Sequence, residues 1–449
     1  MNSTAEALLE RNRSAESPLA QAAAPVLRAG ALAVFDQAVV SGSNFLTTFI
    51  LVHACTQHEV GIYSLASTVV MFLMAAQANL ISVPYAVYCH RHRGDALAEY
   101  TGSTLIHQLV TSLASVACFV GLGILLSFGV GSEHLRPATW VLVGAIPFIL
   151  LREYARRAAM AHLAMTAAIA IDVAVSALQL AALMVVWRMH SLSAAVAYAT
   201  VGAACATTCL GWWLLDRQPM RFSRQRLLDD WRYNWSFGRW GLMSQLTGLA
   251  FYIVPWLLAS VHGEAAAGEL LACTTLVGLS NLFVMGFNNF LVPKAARAYS
   301  QHGTRSLARV LRWSMLCSAV VLGGLWLVTL RAGDWLAGMV YGGEYSDTGP
   351  LIAMLALATF ADAMGLMAST GLSALDRPAA TFGGDMVQLV VTLGASLWLV
   401  GPYNAWGIAL ALVLGRAAGA AVRWSTLWAL MKAAGVREKN KIIGDTVGN

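Results

Sequence analysis

Two stretches decide how this sequence folds: NLISVPYAVYCHRHRG, running from Asn79 to Gly94, and NNFLVPKAARAYSQHG, running from Asn288 to Gly303. Asn79 and Asn288, Pro84 and Pro293, and Gly94 and Gly303 stand 209 positions apart in each case. Both stretches close an apolar run and lead into a basic loop, so one structural unit occurs twice. A repeat at that distance divides the 449 residues into two halves of like organisation.

The residues around the repeat name its solvent. Hydrophobic residues make up 58% of the chain and charged residues 12%, where a water-soluble domain carries about 25% charged residues. Such a composition cannot cover a surface facing water, so lipid is the solvent. Apolar windows near residues 27–55, 60–88, 103–129, 137–153, 160–187, 191–215, 236–260, 268–293, 307–330, 349–374, 380–399 and 403–430 read as about twelve transmembrane helices. The predicted fold class is an all-α polytopic membrane protein. A tail over 1–26, lacking an apolar signal core and read as disordered, precedes an N-terminal six-helix bundle over 27–215. A linker over 216–235, a C-terminal six-helix bundle over 236–430 and a second tail over 431–449 complete the chain. Six helices per half keep both repeats in the same orientation, and a cavity between two such bundles suits alternating access.

Basic residues set the orientation. Of the 29 Lys and Arg, Arg136, Arg188 and Arg331 fall at connections on one face and Arg416 falls inside the last span; the remaining 25 lie on the other face or in the tails. This is the positive-inside pattern, and it predicts both termini in the cytoplasm of a bacterium, the protein being multi-pass in the inner membrane. The net charge of +6 therefore reports topology, and no stacking, zinc or helix-turn-helix signal points to nucleic acid. Within the linker, RFSRQRLLDDWRYNW mixes arginines with aromatic and aliphatic residues. It reads either as an interfacial helix against anionic membrane lipids or as a basic connector.

Enzyme chemistry finds no support. There is no glycine-rich phosphate loop and no histidine motif with metal spacing, and the seven cysteines are scattered. No catalytic residue, metal site or cofactor is predicted. Polar residues inside the spans are the candidates instead, because an ionisable group costs several kcal/mol in lipid and turns toward protein or water. Arg28, Asp36, Gln37 and Asn44 lie along the first helix as a stripe that either lines the cavity or bonds between helices. Arg239 and Arg297, at inner helix ends, suit a phosphate group or the membrane surface. Arg416 sits too deep for a surface anchor, and Asp362 and Asp385 are its candidate partners. Asp36, Asp362 and Asp385 are also candidate ion-coupling carboxylates.

The segment NFLTTFILVHACTQHEVGIYSLA, Asn44 to Ala66, with Gly61, Ile62 and Tyr63 where the first two helices meet, and YGGEY, Tyr341 to Tyr345, before the tenth helix resemble two landmarks of the bacterial oligosaccharide flippases. These form a branch of the multidrug, oligosaccharidyl-lipid and polysaccharide exporter superfamily. The resemblance implies a V-shaped fold like that of the multidrug exporters (MATE-like), built from two six-helix bundles. It implies transfer of a polyprenyl-diphosphate-linked oligosaccharide to the periplasmic leaflet, for O-antigen or exopolysaccharide assembly, beside a polysaccharide polymerase and export complex. Two rival readings are a cation-coupled multidrug exporter, for which Asp36 would be the ion site, and a scaffold of the assembly complex that transports nothing.

Overall fold

The computed structural model describes residues 18–447 apart from 163, 216–219, 343, 344, 346, 376 and 378. Thirteen α-helices follow one another in the described chain: α1 (Pro18–Ala54), α2 (Gln57–Gln77), α3 (Val83–Tyr88), α4 (Asp95–Ser127), α5 (Arg136–Ala161), α6 (Met165–Arg188), α7 (Ala194–Leu215), α8 (Arg224–Gln245), α9 (Leu249–His262), α10 (Glu264–Gly278), α11 (Asn281–Tyr341), α12 (Gly349–Ala374) and α13 (Ala379–Val447). A π-helical turn, Ala78–Ser82, joins α2 to α3, and a 3₁₀ turn, Leu246–Gly248, joins α8 to α9.

Two of the helices reverse direction inside their bounds. α11 turns at Gly303 (φ 69°) and α13 at Asn404 (φ 50°). Ala295 and Leu307 pack in one cluster across Gly303, although residues twelve apart would be about 18 Å apart on an unbroken helix. Counting α2–α3, α8–α9 and α10 with the first arm of α11 as one pass each, and the other arms separately, the described residues traverse the bundle twelve times. Among the described residues, eight helices are long and apolar enough to cross a membrane on those grounds alone, and the bent pair of α10 and the start of α11 makes a ninth if taken as one span.

The repeat has a backbone explanation. Gly94 (φ 54°) and Gly303 (φ 69°) both take the left-handed conformation at the turn that follows the basic stretch, which a side chain resists.

Buried clusters show how the halves meet. Ile50, Leu51 and Val60 of the first half share one core with Leu258, Leu270, Tyr341 and Ile352 of the second. These residues lie near the end of the bundle opposite the two chain ends, named the outer end after the orientation expected from the basic residues. Toward the inner end the core divides. Tyr85, Tyr88, Tyr100 and Ala158 form a cluster of first-half residues only, and Ala295, Leu307, Leu372 and Leu427 one of second-half residues only. The halves therefore hold together at the outer end and separate inward.

Several expected boundaries move. α1 starts at Pro18, so 18–26 is helical and only 1–17 of the expected tail lies outside the described residues; the alanine-rich LAQAAAPVLRAGALA favours helix, and Pro18 stands at its first residue. The fourth pass ends at Ala161, not near 153, which takes Arg156 and Arg157 out of the expected loop. α8 crosses the expected boundary at 235, and the expected C-terminal tail is helical to Val447.

Candidate functional site

The junction between the halves is built on glycine. Thr56 caps α2, its hydroxyl accepting from the Glu59 backbone N–H at 3.4 Å. One turn on, α2 crosses α10. A methyl group at Gly61 would overlap the carbonyl oxygen of Glu264, and one at Gly268 would overlap that of Gln57. The two overlaps are mirror partners: each glycine meets the carbonyl four residues before the other, as a twofold crossing requires. Backbones this close need small residues. Beside the crossing, His58 lies 3.6 Å from Glu264, and Trp256 of α9 donates to the Thr68 hydroxyl at 2.7 Å.

Both sequence landmarks anchor this junction. The Tyr63 carbonyl accepts from the Tyr198 hydroxyl at 2.9 Å, with the two rings stacked at 4.8 Å, which fixes α2 to α7. In the second half the Tyr341 hydroxyl donates to the Ala272 carbonyl at 3.0 Å and fixes α10 to the arm that carries it.

Each half also buries charge. On α5, Arg152, Glu153 and Arg156 share one side, since residues four apart stack on a helix. Arg156 donates to Asp36 of α1 at 2.7 Å and also to Asp172 of α6, while Arg152 pairs with the other oxygen of Asp172. Asp36 and Glu153 are 4% exposed and Asp172 is fully buried, so three helices are tied by one charge cluster. In the second half, Arg423 pairs with Asp385 and donates to the Gln388 side-chain oxygen at 2.9 Å. Gly365 and Gly384 leave room for that guanidinium, because a methyl at either would run into it.

The expected site residues divide accordingly. Asp36 enters the α5 cluster. Gln37 donates to Ser41 of its own helix at 3.1 Å, and Asn44 is exposed. Arg28 lies on α1, its side chain outside the described residues. Arg239 is exposed, and Arg297, also exposed, donates to Gln301 at 3.3 Å. Arg416 and Asp362 are half-buried. Asp385, a candidate partner of Arg416, pairs with Arg423 instead. The reading from sequence missed Arg152, Arg156 and Arg423 because it placed them at inner helix ends. The signal available was the carboxylates: Asp36, Asp172 and Asp385 each need a cation at their own depth.

Arg423 and Arg416 are expected to respond differently to substitution. Removing one partner of a buried pair costs about 3–5 kcal/mol, so Arg423→Leu lowers the melting temperature in detergent by several degrees. Arg416→Leu leaves it near wild type. Equal melting of the two variants would show that Arg423 carries no structural load.

The sequence matches no family model and no curated protein. Solved structures do match over most of the chain. A multidrug resistance MATE family transporter of the MOP superfamily in an inward-facing conformation is similar with a TM-score of 0.74 at 16% identity, covering 88% of this chain and 96% of that one. The fold is that of the MATE-like transporters. A MOP superfamily transporter from Pyrococcus furiosus, described as having a binding pocket of reverse polarity, is similar at 0.64 and 14% identity, over 91% of this chain and 96% of that one. An outward-facing multidrug resistance MATE family transporter is similar at 0.62 and 13%, with the same coverage. The MATE-like fold makes this a multi-pass membrane protein.

Proposed function

We propose that the protein is an alternating-access exporter that takes amphipathic organic compounds from the inner end of the cleft and releases them at the outer end. The observation that carries this reading is the closed junction at Gly61 and Gly268, beyond which the described residues form separate cores in the two halves. Opening this junction while closing the inner end converts one accessible state into the other, and it requires two rigid halves of the kind the buried charge clusters create. The expected inner-membrane location, with both termini in the cytoplasm, makes the direction outward.

Coupling to an ion gradient is part of the proposal. Asp36 already holds a guanidinium, so we assign the coupling role to Asp362, a half-buried carboxylate within α12. A second reading, transfer of a polyprenyl-diphosphate-linked oligosaccharide beside a polysaccharide polymerase, is favoured by the exposed Arg239 and Arg297 at inner helix ends. The Pyrococcus furiosus transporter, whose reverse-polarity pocket is described as suggesting a different function, supports keeping this second reading for the fold.

Inverted proteoliposomes separate the readings. A fluorescent amphipathic cation and a lipid-linked oligosaccharide are presented in turn, with and without an imposed proton or sodium gradient. Gradient-driven dye uptake that falls at least about tenfold in Asp362→Asn supports the exporter. Movement of the lipid-linked sugar alone supports the second reading. Movement of neither would remove the transport assignment.

A further inference from the structure

The linker helix α8 is not absorbed by the transport reading, and its two faces differ. The inward face docks on the first half. Asn234 accepts from the Tyr100 hydroxyl at 2.8 Å, the Leu227 carbonyl meets the His107 ring at 3.0 Å, and Tyr233 accepts from Arg91 at 3.0 Å with its ring 4.1 Å from that of Tyr88. Gly238 sits against the backbone of Asn79 in the π-helical turn. These contacts fix the direction of α8. Leu227 meets His107 and Asn234 meets Tyr100, seven residues apart on both helices, so α8 runs antiparallel beside the inner portion of α4 before continuing toward α9 in the same pass.

An adjacent face carries Arg224, Leu228, Arg232 and Trp235, all exposed and spaced by three or four residues along one side of the helix. Arg221 and Phe222, just before α8, are exposed as well, Phe222 by 65%. Between Arg221 and Arg239 stand five arginines against Asp229 and Asp230. The stretch is net positive by three within itself; Arg221 pairs with Asp95, Arg226 with Glu99 and Arg232 lies 3.8 Å from Asp229, so with Asp95 and Glu99 counted the local net charge is plus one. Arginine alternating with large apolar and aromatic groups on one face, on a helix packed against the inner portion of a membrane bundle, matches the boundary between headgroups and acyl chains.

We infer that the outer face of α8 binds anionic phospholipid headgroups of the inner leaflet, with Arg224 and Arg232 on phosphate oxygens and Leu228 and Trp235 in the acyl boundary. Charge complementarity selects the occupant: each basic side chain near an anionic surface adds about 1 kcal/mol, a factor of about five in binding per arginine. The site also has mechanical reach. α8 is docked on the first half, whereas α9, beyond the 3₁₀ turn at Leu246–Gly248, bridges the halves, with Trp256 on Thr68 of the first and His262 2.7 Å from the Val400 carbonyl of the second. Headgroups held by α8 therefore anchor the first half at the turn that leads into this bridging helix.

The test uses the full-length protein in nanodiscs containing a photoactivatable phosphatidylglycerol or a photoactivatable phosphatidylcholine, each with its diazirine near the headgroup, with cross-links mapped by mass spectrometry. Phosphatidylglycerol is expected to label peptides covering residues 221–239 at least about tenfold more than phosphatidylcholine does, and Arg224→Gln with Arg232→Gln to remove most of that excess. The double variant keeps the buried face intact, so an unchanged melting temperature is expected beside the lost labelling. Equal labelling by both lipids, or an excess that survives the double substitution, overturns the assignment.

Discussion

Gly61→Val is expected to abolish transport without unfolding the protein. Its side chain would meet the Glu264 carbonyl, a backbone atom of α10 that cannot rotate away, so the helices must separate at the junction. Overpacking of this kind costs about 1–3 kcal/mol, which shifts an equilibrium between two states by a factor of about 5 to 150. Gly268→Val is expected to act alike, because the crossing is symmetric. Gly394→Val, where added atoms meet open space, serves as control and transports normally. Spin labels at the exposed outer positions Val130 and Tyr403 read the geometry directly: their separation widens in Gly61→Val and Gly268→Val and stays as in wild type in the control. A Gly61→Val protein with unchanged label separation and full transport would mean that this crossing is not the gate.

Arg156→Leu is expected to be the most destabilising single change in the first half. The guanidinium joins Asp36 of α1 to Asp172 of α6 from its own place on α5. Without it Asp36 remains 4% exposed and loses its charged partner, a loss worth about 3–5 kcal/mol. Asp172 is less affected, since Arg152 also holds it. Adding Asp36→Asn to Arg156→Leu removes the stranded charge and is expected to recover more than half of the lost stability. Thermal unfolding of wild type, both single variants and the double variant completes the cycle. Additive effects of the two substitutions would show that Asp36 and Arg156 do not act as a pair.

These two sites differ in how far they could be read before the structure. The Gly-x-Tyr segment at Gly61 stood out as a landmark, although nothing in one strand of sequence says which backbone comes close to it. Its partner Gly268 carries no local signal, being one small residue in GEAAAGELLAC. The charge cluster was half legible. A carboxylate inside an apolar span announces that a partner exists, and Asp36 and Asp385 were found on that ground. Their arginines were hidden because a basic residue near an inner helix end is already accounted for by membrane topology. Arg416 drew attention by its depth, yet Arg423, two turns further along the same helix, is the one that reaches Asp385.

The sequence by itself determined the solvent, the helical class, the number of passes and the twofold repeat. These follow from length and hydropathy, since a chain in lipid must satisfy its backbone within each helix and about 20 apolar residues suffice to span. The left-handed glycines at 94 and 303 belong to the same kind of information, being local demands of a turn. Only the tertiary structure decided which end is closed, which glycines touch and which arginine serves which carboxylate. Each depends on the rotation and depth of one helix against another that is distant in the chain. Periodicity specifies a polar face, but the partner of that face is selected by how the whole bundle packs.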